Sequence, residues 1–99
     1  MDSALIGALP PLYESGVVYR PESPDTWSTA DLVLARGWGD CEDLTAWRVA
    51  ELRARGVGAV GDVYRVRPGQ WHAVVQLPDG SVEDPSLRLG MGRYRRRRA

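Results

Sequence analysis

The spacing of apolar and polar positions changes character several times along the 99 residues. In residues 1–26 no helical period survives, because Pro10, Pro11, Pro21 and Pro24 interrupt it. Val17-Val18-Tyr19 reads as a short strand, and the rest as an arm that wraps the domain. Ser28-Thr29-Ala30-Asp31 has the S-x-x-D form of a capping box, which predicts a short helix over about residues 29–36, stopped by Gly37. The central helix starts at Gly39-Asp40-Cys41, with Asp40 as N-cap, Asp43 three residues on, and Gly56 just past its end. On its wheel Cys41, Thr45, Val49 and Leu52 share a face, while Trp47, Ala46, Ala50 and Ala54 lie on others. A helix apolar on more than one side should be buried on more than one side. Glu51 and Arg55 are expected as an i,i+4 pair on its wet side.

After Gly56 the period shortens to two. Residues 63–67 alternate and end at Pro68-Gly69. Residues 71–77 follow, with Trp71, Ala73, Val75 and Leu77 on one face and His72, Val74 and Gln76 on the other. Pro78-Asp79-Gly80 is a turn, and residues 81–84 return as a strand. If that turn is a three-residue hairpin loop with Gly80 left-handed, Leu77 pairs with Ser81 and Val74 stands opposite Asp84. Asp84 then shares the face of His72, as its diagonal neighbour. A two-residue loop would turn Asp84 to the wrong side. The predicted class is α+β: a central helix packed on a small antiparallel sheet. The expected organisation is an arm over 1–26, a core over 27–92 and an Arg-rich tail over 93–99.

Composition narrows the class. An apolar fraction of 43% and four Trp describe a folded globule of one domain. No apolar run reaches the roughly 18 to 20 residues of a membrane span, and the start has Asp2 where a signal peptide would be basic. A cytoplasmic or virion-associated location is expected. All 13 basic residues are Arg, while Lys, Asn and Phe are absent and Ile occurs once, which suits a gene of a high-GC bacterium or its phage. Arg93 and Arg95 to Arg98 close the chain, so residues 1–92 hold eight Arg against all 13 acids, a net charge of −5. The tail is expected to be solvated, with contact to nucleic acid or an acidic protein surface as the alternative.

The chemistry concentrates on three residues. Cys41 is the only cysteine, which excludes an intramolecular disulfide and a several-cysteine metal site. A lone cysteine is usually a small buried apolar residue. This one, however, opens a helix, where backbone N–H groups and the macrodipole favour a thiolate and can serve an oxyanion. His72 is the only histidine. It sits in a run that should be buried, where it needs a partner, and the hairpin register offers Asp84. A nucleophile, a base and a carboxylate to orient that base make a triad.

The residues also carry a resemblance. Trp27-Ser28-Thr29-Ala30-Asp31-Leu32 with Gly37-Trp38-Gly39-Asp40-Cys41-Glu42-Asp43-Leu44 resembles the transglutaminase-like superfamily. Its G-D-C-E-D core is most similar to the bacterial transglutaminase-like cysteine proteinases. His72-Ala73-Val74-Val75 is similar to their H-A-V-L strand, and Val82-Glu83-Asp84-Pro85 stands where they carry the triad aspartate. The resemblance covers about residues 26–90. It implies a papain-like core and a cysteine peptidase with Cys41, His72 and Asp84 as its triad, acting through a thioester on peptide or protein substrates. Transfer to an amine and deamidation of Gln use the same thioester. Those proteinases are longer, so a larger assembly that completes the cleft is an expected partner, and a non-catalytic assembly module is the alternative. Asp84 is followed by proline, outside the usual context. Its rival Glu83 falls on the opposite face.

Asp40, Glu42 and Asp43 crowd the thiol. They compensate the helix dipole, and the resemblance implies a calcium site on the same three residues. Three carboxylates oppose thiolate formation, and a hard cation would relieve them. Trp38 and Trp71, beside the two reacting residues, are expected as core, with a role as walls of the acyl site as the alternative.

Overall fold

A computed structural model describes residues 6–21 and 29–91. The Arg tail, Trp27 and Ser28, the cap that the sequence pattern predicts, lie outside the described residues. The architecture is α+β. A 3₁₀ turn, Leu12–Glu14, leads to strand β1, Val18–Tyr19. Helix α1, Ala30–Arg36, and strand β2, Trp38–Gly39, precede the central helix α2, Cys41–Ala54. Strands β3, Val60–Arg67, β4, Gln70–Gln76, and β5, Val82–Glu83, form an antiparallel sheet in that order, followed by an irregular helical turn, Leu87–Met91.

Most local signals act where expected, but the N-cap of α1 is one residue later than the S-x-x-D pattern places it and makes no side-chain cap bond. Thr29 is the N-cap of α1, and Gly37 ends it in the left-handed conformation. Asp40 and Asp43 form a reciprocal capping box on α2: the Asp43 N–H donates to Asp40 Oδ1 at 3.0 Å, and the Asp40 N–H to Asp43 Oδ2 at 3.3 Å. β1 and β2 pair in parallel and hold Gly39 against the start of α2. A side chain at Gly39 would crowd Val33, Asp43 and Leu44 at 3.2 Å each, so the close packing there favours glycine.

α2 is buried on two sides, as its wheel requires. One side packs Leu44 and Trp47 against Ile6, Leu12, Val17, Ala30 and Val33. The other packs Val49 and Leu52 against Ala59 and Val75 of the sheet layer. Ile6, Leu12 and Val17 of the arm therefore belong to the core, and their burial contributes to stability at about 25 cal/mol per Å². One expectation is corrected. Glu51 is not on a wet face: it is 4% exposed, and its Oε1 accepts the Leu12 N–H at 2.6 Å. The arm crosses that side of the helix and brings a backbone donor that needs an acceptor. Arg55 lies 3.9 Å from Glu51 and Arg48 3.5 Å.

Candidate active site

The turn after β4 sets the geometry. The Leu77 N–H donates to the Ser81 carbonyl at 2.9 Å, the Gly80 N–H to the Leu77 carbonyl at 3.0 Å, and Gly80 has φ 89°. This is the three-residue loop with a left-handed glycine. Gln76 pairs with Val82 and Val75 with Glu83, so Asp84 follows on the face of His72. His72 Nε2 lies 2.8 Å from Asp84 Oδ2. An ionised carboxylate only accepts, so Nε2 carries the proton and Nδ1 is the free basic nitrogen. Asp84 Oδ1 accepts the Leu87 N–H at 3.1 Å, which fixes the carboxylate from its other side. His72 is only 4% exposed, and the Tyr64 ring meets its edge at 84° with centroids 5.6 Å apart.

Cys41, at the first position of α2, is half-buried. Its thiol lies within hydrogen-bond reach of the backbone N–H of Ala73, the residue after His72, and of Glu42. Helix start and β4 thus meet at the thiol. Among the described residues Cys41 makes no hydrogen bond to His72, whose side-chain bond goes to Asp84. Nucleophile–base contacts often tighten only when substrate binds. The helix start alone does not activate the thiol. Burial pushes its pKa up, the charges of Asp40 and Glu42 push the same way, and the Ala73 and Glu42 N–H groups offset only part.

The acidic cluster has specific partners. The Asp43 carboxylate is buried and accepts the Arg36 guanidinium at 2.9 Å, in addition to the Asp40 N–H. Asp40 serves the cap. Two of the three carboxylates are therefore turned into the protein, and among the described residues no three Asp, Glu, His or Cys side chains converge on a cation position. A cation at Asp40, Glu42 and Asp43 would have to compete with the cap and with Arg36 for two of the three carboxylates.

Trp71 departs from the core role expected of it. It is 58% exposed, because the tip of the β3–β4 hairpin runs beyond the start of α2 and, among the described residues, no helix covers that face. Trp38 is half-buried under two guanidiniums, with Arg36 at 3.9 Å and Arg20 at 5.4 Å from its ring centre. Glu83 points to the other face of the sheet, as the register requires. It accepts Arg48 Nε of α2 at 2.6 Å and the Tyr13 hydroxyl. It is committed to tying β5 to α2 and the arm. Sequence reasoning missed Tyr64 beside His72. Counting back from the Pro68-Gly69 turn would set Tyr64 opposite Ala73, but a bulge at Val66 slips the register by one residue.

No described helix is long and apolar enough to cross a membrane. No protein-family model, curated protein or solved structure matches the chain, so the resemblance to the transglutaminase-like superfamily rests on the motif residues alone.

Proposed function

We propose that this protein is a thiol-dependent acyl-transfer enzyme of the cysteine peptidase type, with Cys41 as nucleophile, His72 as general base and acid, and Asp84 as the residue that orients His72. The observation that carries the reading is the part-buried His72–Asp84 bond of 2.8 Å directly beside the backbone that contacts the thiol. The Cys41 thiol passes its proton to His72 Nδ1 as sulfur attacks the carbonyl carbon of an amide. The C–N bond then breaks, the amine leaves with the proton from Nδ1, and a thioester remains on Cys41. Water adds to the thioester, again through His72, and releases the acid. Asp84 keeps the proton on Nε2, so Nδ1 stays free to accept. The N–H groups at the start of α2 are suited to hold the oxyanion.

One observation favours a second reading, a non-catalytic assembly module of this fold: burial and neighbouring carboxylates push the thiol pKa up. The two separate by labelling. The enzyme reading expects Cys41 to react with an electrophilic probe near neutral pH, read by mass spectrometry, and expects His72→Ala to abolish that reaction. Equal labelling of both proteins, rising only in the alkaline range of an unassisted thiol, overturns the enzyme and leaves the module.

A further inference from the structure

β3 is the edge of its sheet, and among the described residues nothing pairs with its outer side. It is also apolar for an edge. Val60, Val63, Tyr64 and Val66 are all exposed, Val63 by 54%. Natural sheets protect such edges or use them. Beneath it, between α2 and β3, runs a cavity of about 370 Å³ whose wall includes Thr45, Ala46, Val49, Gly61, Val63 and Ala73.

We infer that this edge pairs with the same edge of a second copy of the chain, antiparallel and with the two-fold axis at Val63. The hydrogen-bond phase permits it. Leu77 donates toward β5, and by the alternation of the strand Val75 and Ala73 direct their N–H groups to that side too. The even residues of β4 therefore bond β3, and Gly61, Val63 and Arg65 of β3 turn their N–H and C=O groups outward. A two-fold perpendicular to the sheet keeps equivalent faces together, so paired residues must have the same parity. Centred on Val63, the pairing sets Val63 on Val63 of the other copy, Gly61 on Arg65 and Asp62 on Tyr64, all before the bulge at Val66. The exposed Val63 meets its own copy. The Arg65 stem lies over a position without a side chain, and the Tyr64 hydroxyl faces a carboxylate. Up to about six backbone hydrogen bonds form. The neighbouring registers are worse. Centring on Asp62 opposes two carboxylates, and centring on Tyr64 pairs Gly61 with Arg67 across the bulge that breaks the ladder. The two sheets become one of six strands, both copies of α2 on one face, and the two cavities face each other across the axis. The inference stands apart from the catalytic reading.

The test uses the full chain with Cys41→Ser, which leaves no other thiol. Val63→Cys places two thiols across the axis at about 5.5 Å between Cα atoms, within disulfide range. Val60→Cys places its pair roughly 20 Å apart. Under mild oxidation the first should become a covalent dimer and the second should not. Sedimentation equilibrium at high micromolar concentration should give twice the chain mass for wild type and the single-chain mass for Val63→Asp. Wild type at the single-chain mass throughout overturns the inference. So does equal cross-linking of the two cysteine variants, or a dimer that Val63→Asp leaves intact.

Discussion

Asp84 gives the sharpest test of the site, because its two oxygens hold two different donors. Oδ1 accepts the Leu87 N–H at 3.1 Å and Oδ2 faces His72 Nε2 at 2.8 Å. In Asp84→Asn the amide oxygen must stay on the Leu87 N–H, since an NH₂ group there would oppose donor to donor. The NH₂ then faces Nε2 and requires a lone pair on it. The imidazole proton moves to Nδ1, and the base is lost although no atom is missing. Only a charge-assisted bond becomes a neutral one, so stability should fall by about 1 kcal/mol. Cys41 alkylation near neutral pH should fall roughly 10²- to 10⁴-fold. Asp84→Ala instead leaves His72 without its carboxylate and Leu87 uncapped, and should lose about 2–4 kcal/mol. The assay is the pH profile of Cys41 alkylation by mass spectrometry, with urea denaturation of the same proteins. An Asp84→Asn protein that labels like wild type at every pH refutes the role of Asp84, and the triad would need another third member.

Glu51→Ala should strand the buried Leu12 N–H, loosen the arm and lower the urea-derived stability by about 2–4 kcal/mol, whereas a surface glutamate would lose almost nothing. Burial raises the Glu83 pKa, but hydrogen bonds from Arg48 and Tyr13 outweigh it and hold the group below the usual carboxylate range. Its stabilising share is thus present above the unfolded pKa of about 4.3 and is lost as pH falls through the lower folded value. Acid titration of the melting temperature should show a shallower fall below about pH 4.3 for Glu83→Gln than for wild type. Millimolar calcium should leave the melting temperature unchanged, because Asp40 and Asp43 are held by the cap and Arg36. A rise that Glu42→Ala removes would restore a cation role to the cluster. Deleting residues 93–99 should preserve melting and Cys41 labelling while reducing salt-sensitive retention on heparin, and unchanged retention would remove the electrostatic partner.

The parts of this fold that could be read from the chain are those decided within a few residues. Asp40 and Asp43 are three apart on one turn, so their reciprocal cap follows from spacing, and with it the place of Cys41 at the start of a helix. Pro78-Asp79-Gly80 determines its own loop, and the loop determines a register only four residues away, which brings Asp84 to His72. What only the tertiary structure decided involves surfaces from distant parts of the chain. Glu51 is buried because an arm 39 residues upstream crosses it. Trp71 is exposed because α2 starts too late to cover the hairpin tip. Tyr64 meets His72 because a bulge at Val66 inserts one residue, and alternation by itself cannot reveal a bulge. Asp43 turns from the thiol to Arg36 because α1 delivers a guanidinium beside it. Local patterns record which groups a segment offers. Which of them are desolvated, and against what, depends on the packing of elements that the pattern of one segment does not contain.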